Sequence, residues 1–441
     1  MKKVIGEYGM IFVLLALCGL FSVLTLKREG ATGEAAAERI VAEITARAES
    51  DRGIFAVGAA RKDSGDFARM VAERLDEEGF TAVTPVIGAP RDLRVAWDEA
   101  KAAAALPSFV VVSGDAVNWT VLDSIVEEEH VPGLSVLEPK ERLVSDFLKR
   151  SNLLAIVDRI VVIAVIAIGM TLVILTGGID LSVGSLIAFS AVVGTLVMKA
   201  LGGLEAASWT VWLRFLLAVA SCGVIGATGG AVVAVFRVAP FIVTLAVMMM
   251  ARGLAFLLTG GFSVYQVPPA LTWLGQGSTV GIPNTVILLV ALYGAAHVFM
   301  SHTRFGRYIY AVGGNEEAAR LSGVPVRWIL VFVYFVSGLS AGFAGCIQAS
   351  QLNSGAPNLG MMFELYVIAA VVVGGTSLSG GSGRIIGTLI GAFIISVIQN
   401  GMNLLGFDSY LQQVVLGGVI LGAVLLDKAR QGGGWRRLLR Q

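Results

Sequence analysis

The stretch GGTSLSGGSGR at 374–384 invites a phosphate-loop reading, because glycine-rich turns present backbone N–H groups to phosphates. From Gly375 the G-x-x-x-x-G spacing is present, but Gly381 stands where that chemistry needs a lysine to reach the β- and γ-phosphates. The pattern therefore does not carry nucleotide binding, and its small residues read instead as places where helices approach and the backbone turns. No other catalytic constellation takes its place. His130, His297 and His302 are scattered without an HExxH spacing, and Cys18, Cys222 and Cys346 fall singly inside apolar runs, where a thiol acts as a small hydrophobe. No Ser-His-Asp, Cys-His or paired-carboxylate arrangement is supported. No enzyme activity, metal or cofactor is expected.

The remaining polar residues suit holding or passing a solute. Asp180, in TGGIDLSVGS, lies between two apolar runs, so it is either a gating or transport group or a cap for the helix that follows. The same alternatives hold for Arg252, inside the run 241–259, and for Glu364, at the start of its own run. Thr244, Gln348, Gln351, Asn400 and Asn403 are uncharged hydrogen-bonding groups in or beside apolar runs. They can line a path for a polyhydroxylated solute, and they equally serve as glue between helices. The last group is GRYIYAVGGNEEAARLSG at 306–323. Asn315 caps a short helix beginning at Glu316, with Glu316 and Glu317 favouring its N-terminus, Ala318 and Ala319 continuing it and Gly323 ending it. A rigid helix of one to two turns suits docking on a partner; the plainer reading is a solvated connector.

The elements that position these residues follow from composition. Only 15% of the chain is charged, where a soluble protein carries about 25%, and mean hydropathy is +0.78. Residues 27–150 hold 16 Lys and Arg against 23 Asp and Glu, whereas the rest is net +8. A membrane protein with one acidic, water-soluble insert follows, and nothing suggests nucleic acid. Spanning-length apolar runs lie near 9–26, 155–176, 183–200, 212–236, 241–259, 284–301, 328–347, 364–380, 385–405 and 411–426. The first reads as a retained helix, since no small-x-small site closes it. With the N-terminus inside, ten crossings put 302–327 inside with Arg304, Arg307, Arg320 and Arg327, and 260–283 and 350–363, which lack Lys and Arg, outside. Lys27 and Arg28 are exceptions to this rule. The basic tail 428–441, with Arg430, Arg436, Arg437 and Arg440, reads as a cytoplasmic membrane-side anchor.

Residues 27–150 then lie outside. Short apolar strands at 53–60, 81–88 and 107–114 alternate with helices at 66–79 and 92–106, with a further helix at 119–130 and a strand within 131–137, which argues a parallel α/β layer. Residues 29–50, rich in Ala and Glu, read as a helical stalk. The expected fold is an all-α polytopic membrane protein of about ten transmembrane helices with an inserted small extracytoplasmic α/β domain. Its parts are 1–26, the cytoplasmic tip and first span; 27–150, the insert; 151–427, the membrane domain; and 428–441, the tail. GGIDLSVG (177–184) and GGTSLSGG (374–381) agree at five of eight positions, which raises a parallel duplication or a coincidence of glycine turns.

Several long stretches carry a resemblance: GMTLVILTGGIDLSVGS (169–185), VAPFIVTLAVMMMARGLA (238–255), TRFGRYIYAVGGNEEAARLSGV (303–324), ASQLNSGAPNLGMMFELYVIAAVVVGGTSLSGGSGRIIGTLIGA (349–392) and IQNGMNLLGFDSYLQQVVLG (398–417). From about Phe147 onward the chain resembles the permease subunits of ribose-type monosaccharide ABC importers, the branch that includes arabinose, xylose and galactose permeases. The resemblance implies an inner-membrane permease without its own nucleotide site, paired with a second copy or a close paralogue. Two cytoplasmic ABC ATPases would dock on the Glu317-Ala318-Ala319 to Gly323 loop, and an extracytoplasmic solute-binding protein would deliver a sugar, a ribose-like pentose first. Non-sugar solutes such as nucleosides or signalling molecules are the alternative cargo. An ion-coupled secondary transporter is a further rival, and it would need a coupling site near mid-membrane. The insert departs from the family pattern, which passes from the first span almost directly to a segment like FLKRSNLLAIV (147–157). Its strand-helix order looks like part of a periplasmic sugar-binding-protein lobe, without a diagnostic motif.

Overall fold

The computed structural model describes residues 2–47, 52–60, 63–128, 134–205 and 207–432. The chain forms two compact units, one of Thr25–Asp146 and one of Met1–Leu24 with Phe147–Gln441. The smaller unit is thus a few residues shorter than the expected 27–150. The first helix, α1 (Lys2–Leu24), belongs to the larger unit.

The smaller unit opens and closes on an antiparallel ribbon, β1 (Leu26–Gly30) against β6 (Glu141–Ser145), with Leu26 opposite Ser145. Lys27 pairs with Asp146 at 3.1 Å, so this cation carries a local ion pair besides any message about sidedness. The helical stalk expected over 29–50 is not what forms there. Residues 48–50 lie outside the described residues, and α2 (Glu34–Thr45) is a core helix whose Ala37, Ile40 and Ile44 are buried. Apolar residues three and four apart give it a face to bury, which a solvated stalk would lack.

Between the two ribbon strands, β2 (Ile54–Ala59), β3 (Val83–Gly88), β4 (Phe109–Val112) and β5 (Ser135–Leu137) make one parallel sheet in the order β3-β2-β4-β5. Helices α3 (Asp63–Glu77), α4 (Pro90–Ala102) and α5 (Thr120–Glu128) connect them. Ile54 and Ala56 pack with α2 and α3, while Phe55 and Val57 pack with Trp97 and Ile125 on the other face. Burial on both faces explains the uninterrupted apolar runs. Of the strand expected within 131–137, residues 131–133 lie outside the described residues, as does His130. The strand order reverses at β2 and β4, where doubly wound sheets open a ligand crevice beyond the strand ends. Here Ser113, just past β4, donates to the Ala31 carbonyl at 2.9 Å, so the chain arriving from β1 lies over that strand end.

Among the described residues of the larger unit, seven helices are long and apolar enough to cross a membrane: α6 (Arg150–Leu175), α7 (Val183–Ala200), α8 (Ser208–Phe236), α9 (Pro240–Thr259), α11 (Asn284–His302), α14 (Val326–Leu352) and α16 (Ile385–Leu404). Three shorter apolar stretches join them: Gly9–Leu24 of α1, α15 (Phe363–Val373), and Ser409–Leu425 of α17 (Ser409–Gly432). Three further helices are short connectors: α10 (Pro269–Gln276), α12 (Arg304–Gly314) and α13 (Glu316–Leu321). This is a mostly helical, polytopic membrane unit. From Ile160 to Leu175 every residue of α6 is buried, which makes it the central helix. Its neighbours α8 and α14 approach closely through Gly338 and Gly342.

Two expectations change. The run at 364–380 is not one helix, because α15 ends at Val373 and Gly374–Gly375 begin a turn. The stretch 302–327 holds two helices rather than one. Arg430 falls within α17, and Arg436, Arg437 and Arg440 lie outside the described residues.

Candidate functional site

The core of the larger unit is interrupted where α6 gives way to α7. Gly177 adopts φ +78°, the left-handed region that glycine reaches without strain, and the Gly178 N–H returns to the Val173 carbonyl at 3.0 Å. The chain then runs without helical structure to Ser182. Asp180 sits in this break, 1% exposed. One carboxylate oxygen accepts from the Ser182 N–H at 2.9 Å and the Ser182 hydroxyl at 2.6 Å; the other accepts from the Ser337 hydroxyl of α14 at 2.7 Å. The Thr244 hydroxyl of α9 donates to the Ile179 carbonyl at 3.2 Å. Asp180 therefore both organises the approach to α7 and bolts it to α14. Satisfied donors are what make a buried carboxylate tolerable.

A second interruption follows α14. Asn353 turns the chain at φ +50° and its side chain accepts from the Val267 N–H at 3.1 Å; α15 does not begin until Phe363. The chain between is held by Arg252 of α9. Its guanidinium donates to the carbonyls of Pro357 at 2.9 Å and Leu359 at 2.6 Å, and to that of Gly184, in the first turn of α7, at 3.2 Å. Glu364 lies in the first turn of α15, against Gly184: a Cβ at Gly184 would overlap both the Glu364 carboxylate and the Gly360 carbonyl. The first turns of two discontinuous helices thus meet, with one cation and one carboxylate beside them. Helix starts carry partial positive charge and N–H groups lacking helical partners, so such a meeting point can bind polar solute groups.

The third interruption, 374–384, repeats some of this chemistry. Gly375 has φ +86°, and the Thr376 N–H returns to the Val371 carbonyl at 3.1 Å, as Gly178 does to Val173. The Ser377 hydroxyl accepts from the Ser379 N–H at 3.2 Å, as Asp180 does from Ser182. The two turns also touch, since the Gly381 N–H donates to the Leu175 carbonyl at 2.9 Å. Helix α12 sits on both. A Cβ at Gly313 would overlap the Leu175 carbonyl oxygen and reach the Gly381 nitrogen at 2.6 Å, and the Tyr310 hydroxyl donates to the Gly383 carbonyl at 2.8 Å.

Helix α13 follows directly. The Asn315 side chain accepts from the Ala318 N–H at 2.9 Å, Glu316 and Glu317 occupy the first turn, and Gly323 at φ +83° lets the Val324 N–H close on the Ala319 carbonyl at 3.0 Å. Ala319 is buried, whereas Asn315, Glu316, Glu317, Ala318 and Gly323 are exposed. Glu317 pairs with Arg320, and that hydrogen bond and charge hold its carboxyl below the usual glutamate range.

The other sequence candidates lie elsewhere. Gln351 donates to the Asp158 carbonyl at 3.1 Å, and half-buried Gln348 lies nearby on α14. Buried Asn400 exchanges hydrogen bonds with Asn152 at 2.8 and 3.1 Å, and exposed Asn403 accepts from Gln412 at 2.7 Å. Asp180 with Thr244, and Glu364 with Arg252, make local groups; Gln348, Gln351, Asn400 and Asn403 do not join them. Sequence reasoning passed over Ser337, Ser182 and Gly313. Single small residues, inside an apolar run as Ser337 or between runs as Ser182 and Gly313, carry no periodic signal that separates a functional contact from packing.

Residues 152–424 match the family described as branched-chain amino acid transport system / permease component. The chain is 45% identical over 294 residues to the ribose import permease protein of Escherichia coli, covering 65% of this chain and 88% of that one. It is 42% identical over 300 residues to the ribose import permease protein of Bacillus subtilis, covering 67% and 89%. It is 37% identical over 288 residues to the L-arabinose ABC transporter permease protein of Azospirillum brasilense, covering 65% and 83%. No solved structure matches the chain.

Proposed function

Given that the chain belongs to the family of branched-chain amino acid transport system permease components, we propose that it is the transmembrane permease subunit of an ATP-driven ABC importer for a monosaccharide. A ribose-like pentose is the favoured cargo. Relatives that import ribose and arabinose supply the sugar, and the seating of α12 on the two touching turns carries the mechanism. Cytoplasmic ATPases dock on the exposed face of α13, through Glu316, Glu317 and the exposed Leu321 beside them. Movement of α12 is passed by backbone contact at Gly313 to the end of α6 and to 374–384. From there it reaches α7 and α15, whose starts frame the solute path next to Arg252 and Glu364. Because those two charges oppose one another and the cation already serves three carbonyls, the place favours a neutral hydroxylated solute over an anion.

In this reading the seven long helices and three shorter apolar stretches make ten crossings. Both termini and 302–327 are cytoplasmic, and 25–146 is extracytoplasmic. Labelling single cysteines at positions 60 and 320 with an impermeant reagent tests it: position 60 should react from outside and position 320 should not. A second permease copy completes the path, and an extracytoplasmic binding protein delivers the solute. The test of cargo is uptake of a labelled panel into vesicles holding permease, ATPase and binding protein. ATP-dependent accumulation of a pentose is the expected outcome; transport of an anion or amino acid with every sugar silent overturns the reading. Deleting 29–145 in the same assay shows whether the smaller unit selects cargo.

A further inference from the structure

Beside the break at 176–182, Tyr334 of α14 carries a polar atom that the present arrangement leaves unmatched. The residue is 1% exposed, and its hydroxyl has no hydrogen-bond partner among the described residues. A buried O–H without an acceptor is costly, and phenylalanine would fill the same space without that cost. The hydroxyl lies against the break, since a Cβ at Gly178 would come within 2.6 Å of it. Asp180, two residues further on, is within its electrostatic reach. Tyr334 stands three residues before Ser337, which donates to one Asp180 oxygen, so the two hydroxyls share a face of α14. Both residues are fixed at their backbones. Cβ atoms added at Gly226 and Gly230 of α8 would strike the Tyr334 carbonyl and Cβ, and one at Gly169 of α6 would strike the Ser337 Cα.

Two anchored donors on a rigid helix thus face a carboxylate in a segment without helical structure. We infer that Tyr334 is a second donor for Asp180, so that the break at 176–182 has two resting positions on α14, one on the Ser337 hydroxyl and one on the Tyr334 hydroxyl. Either position gives the same carboxylate oxygen one hydroxyl donor, so the exchange is close to balanced. It moves Asp180 by no more than about 5.4 Å, one helical turn. Its use in transport rests on the proposed function, in which a push from α12 through Leu175 carries the break from one donor to the other. Tyr334 is then a positioning residue that acts on the solute path through Asp180.

The test is a double-mutant cycle on thermal unfolding of the full chain in lipid nanodiscs, with pentose uptake read separately in vesicles holding permease, ATPase and binding protein. Tyr334→Phe alone is expected to leave the unfolding midpoint unchanged or raised, since it removes an unmatched hydroxyl. Ser337→Ala alone is expected to lower it only slightly, because Asp180 passes to Tyr334. The double variant is expected to lower it by more than the two single shifts combined, because that carboxylate oxygen then has neither donor. Uptake by Tyr334→Phe is expected to fall about ten-fold with ATPase association intact, a loss that packing alone would not produce. Additive shifts in the cycle overturn the inference, whatever happens to uptake. Coupled shifts with unchanged uptake uphold the exchange and count against the transport reading. The cycle needs neither sugar nor ATPase, so the two failures are told apart.

Discussion

At 176–182 the chain leaves α6 and enters α7 by local devices: a left-handed glycine closes one helix, and Asp180 gathers the donors two residues ahead of it. At 353–362 the corresponding work is done from far away, by an arginine 105 residues distant in sequence from the first carbonyl it holds. The difference concerns what each break can do. A break organised by its own side chains moves as a piece, and Ser337 decides where it rests. A break held by a remote cation shifts whenever α9 shifts. In the proposed function the first receives the push from α12 through Leu175, and the second opens or closes around the solute.

Removing the local bolt should have the largest effect. Asp180→Ala strands the Ser182 and Ser337 hydroxyls in a buried site and should cost about 3 kcal/mol, read as a lowered thermal unfolding midpoint. Asp180→Asn keeps an acceptor and should recover most of that stability. If Asp180→Asn retains stability and still abolishes uptake, the residue is a gating group rather than a bolt. Arg252→Met removes three bonds to carbonyls from a half-buried cation and should cost about 2 kcal/mol. Its uptake should fall further than its stability explains, because the path beside α7 and α15 is loosened. Arg252→Lys should not restore it, since one ammonium lacks the planar fork that spans two elements. Equal stability and uptake in Arg252→Met would erase the contrast between the two breaks.

The cytoplasmic helix, in the proposed orientation, should respond more mildly. Gly323→Val forces a branched side chain into the left-handed region at about 1–2 kcal/mol and should weaken ATPase pull-down. Asn315→Ala removes the cap at about 1 kcal/mol, with a smaller loss of association. Smallest is a pH effect at Glu317. Its carboxyl lies below the ordinary range in the folded protein, so its contribution is complete above the unfolded glutamate value and fades as pH falls through the folded one. Association measured across that acidic range should drop in the wild type and stay flat in Glu317→Gln.

What could be read from sequence follows the same division. Helix α13 was legible in full because Asn315, Glu316, Glu317 and Gly323 act on neighbours within four residues. The apolar spans were legible because lipid demands unbroken length. Helix α12 was not, since its role depends on Gly313 lying flat against a carbonyl from α6. The run 364–380 misled because the apolar stretch up to Val373 keeps window hydropathy high past its end, and hydropathy does not see that Gly374–Gly375 stop the helix. Asn400 and Asn403 read equally as path-lining groups or as glue between helices; the partners Asn152 and Gln412 that bind them come from other helices, which no window on one run reveals. In the smaller unit, alternation of strands and helices showed the sheet stretches. The register of β1 with β6, joined only after more than a hundred residues, was out of reach, and the burial of α2 was missed with it, a stalk being expected over 29–50.

The contact at Gly313 bears most directly on how the permease is driven. Vesicles with permease, ATPase and binding protein would be assayed together for solute-stimulated ATP hydrolysis and for ATP-driven pentose uptake, comparing the wild type with Gly313→Ala and Gly313→Val. The Cβ meets backbone atoms that cannot rotate away, so uptake should fall stepwise with side-chain size, about ten-fold or more for valine, while the ATPase still associates with α13. Uptake by Gly313→Val equal to that of the wild type, in a sample with intact ATPase association, would contradict transmission through α12.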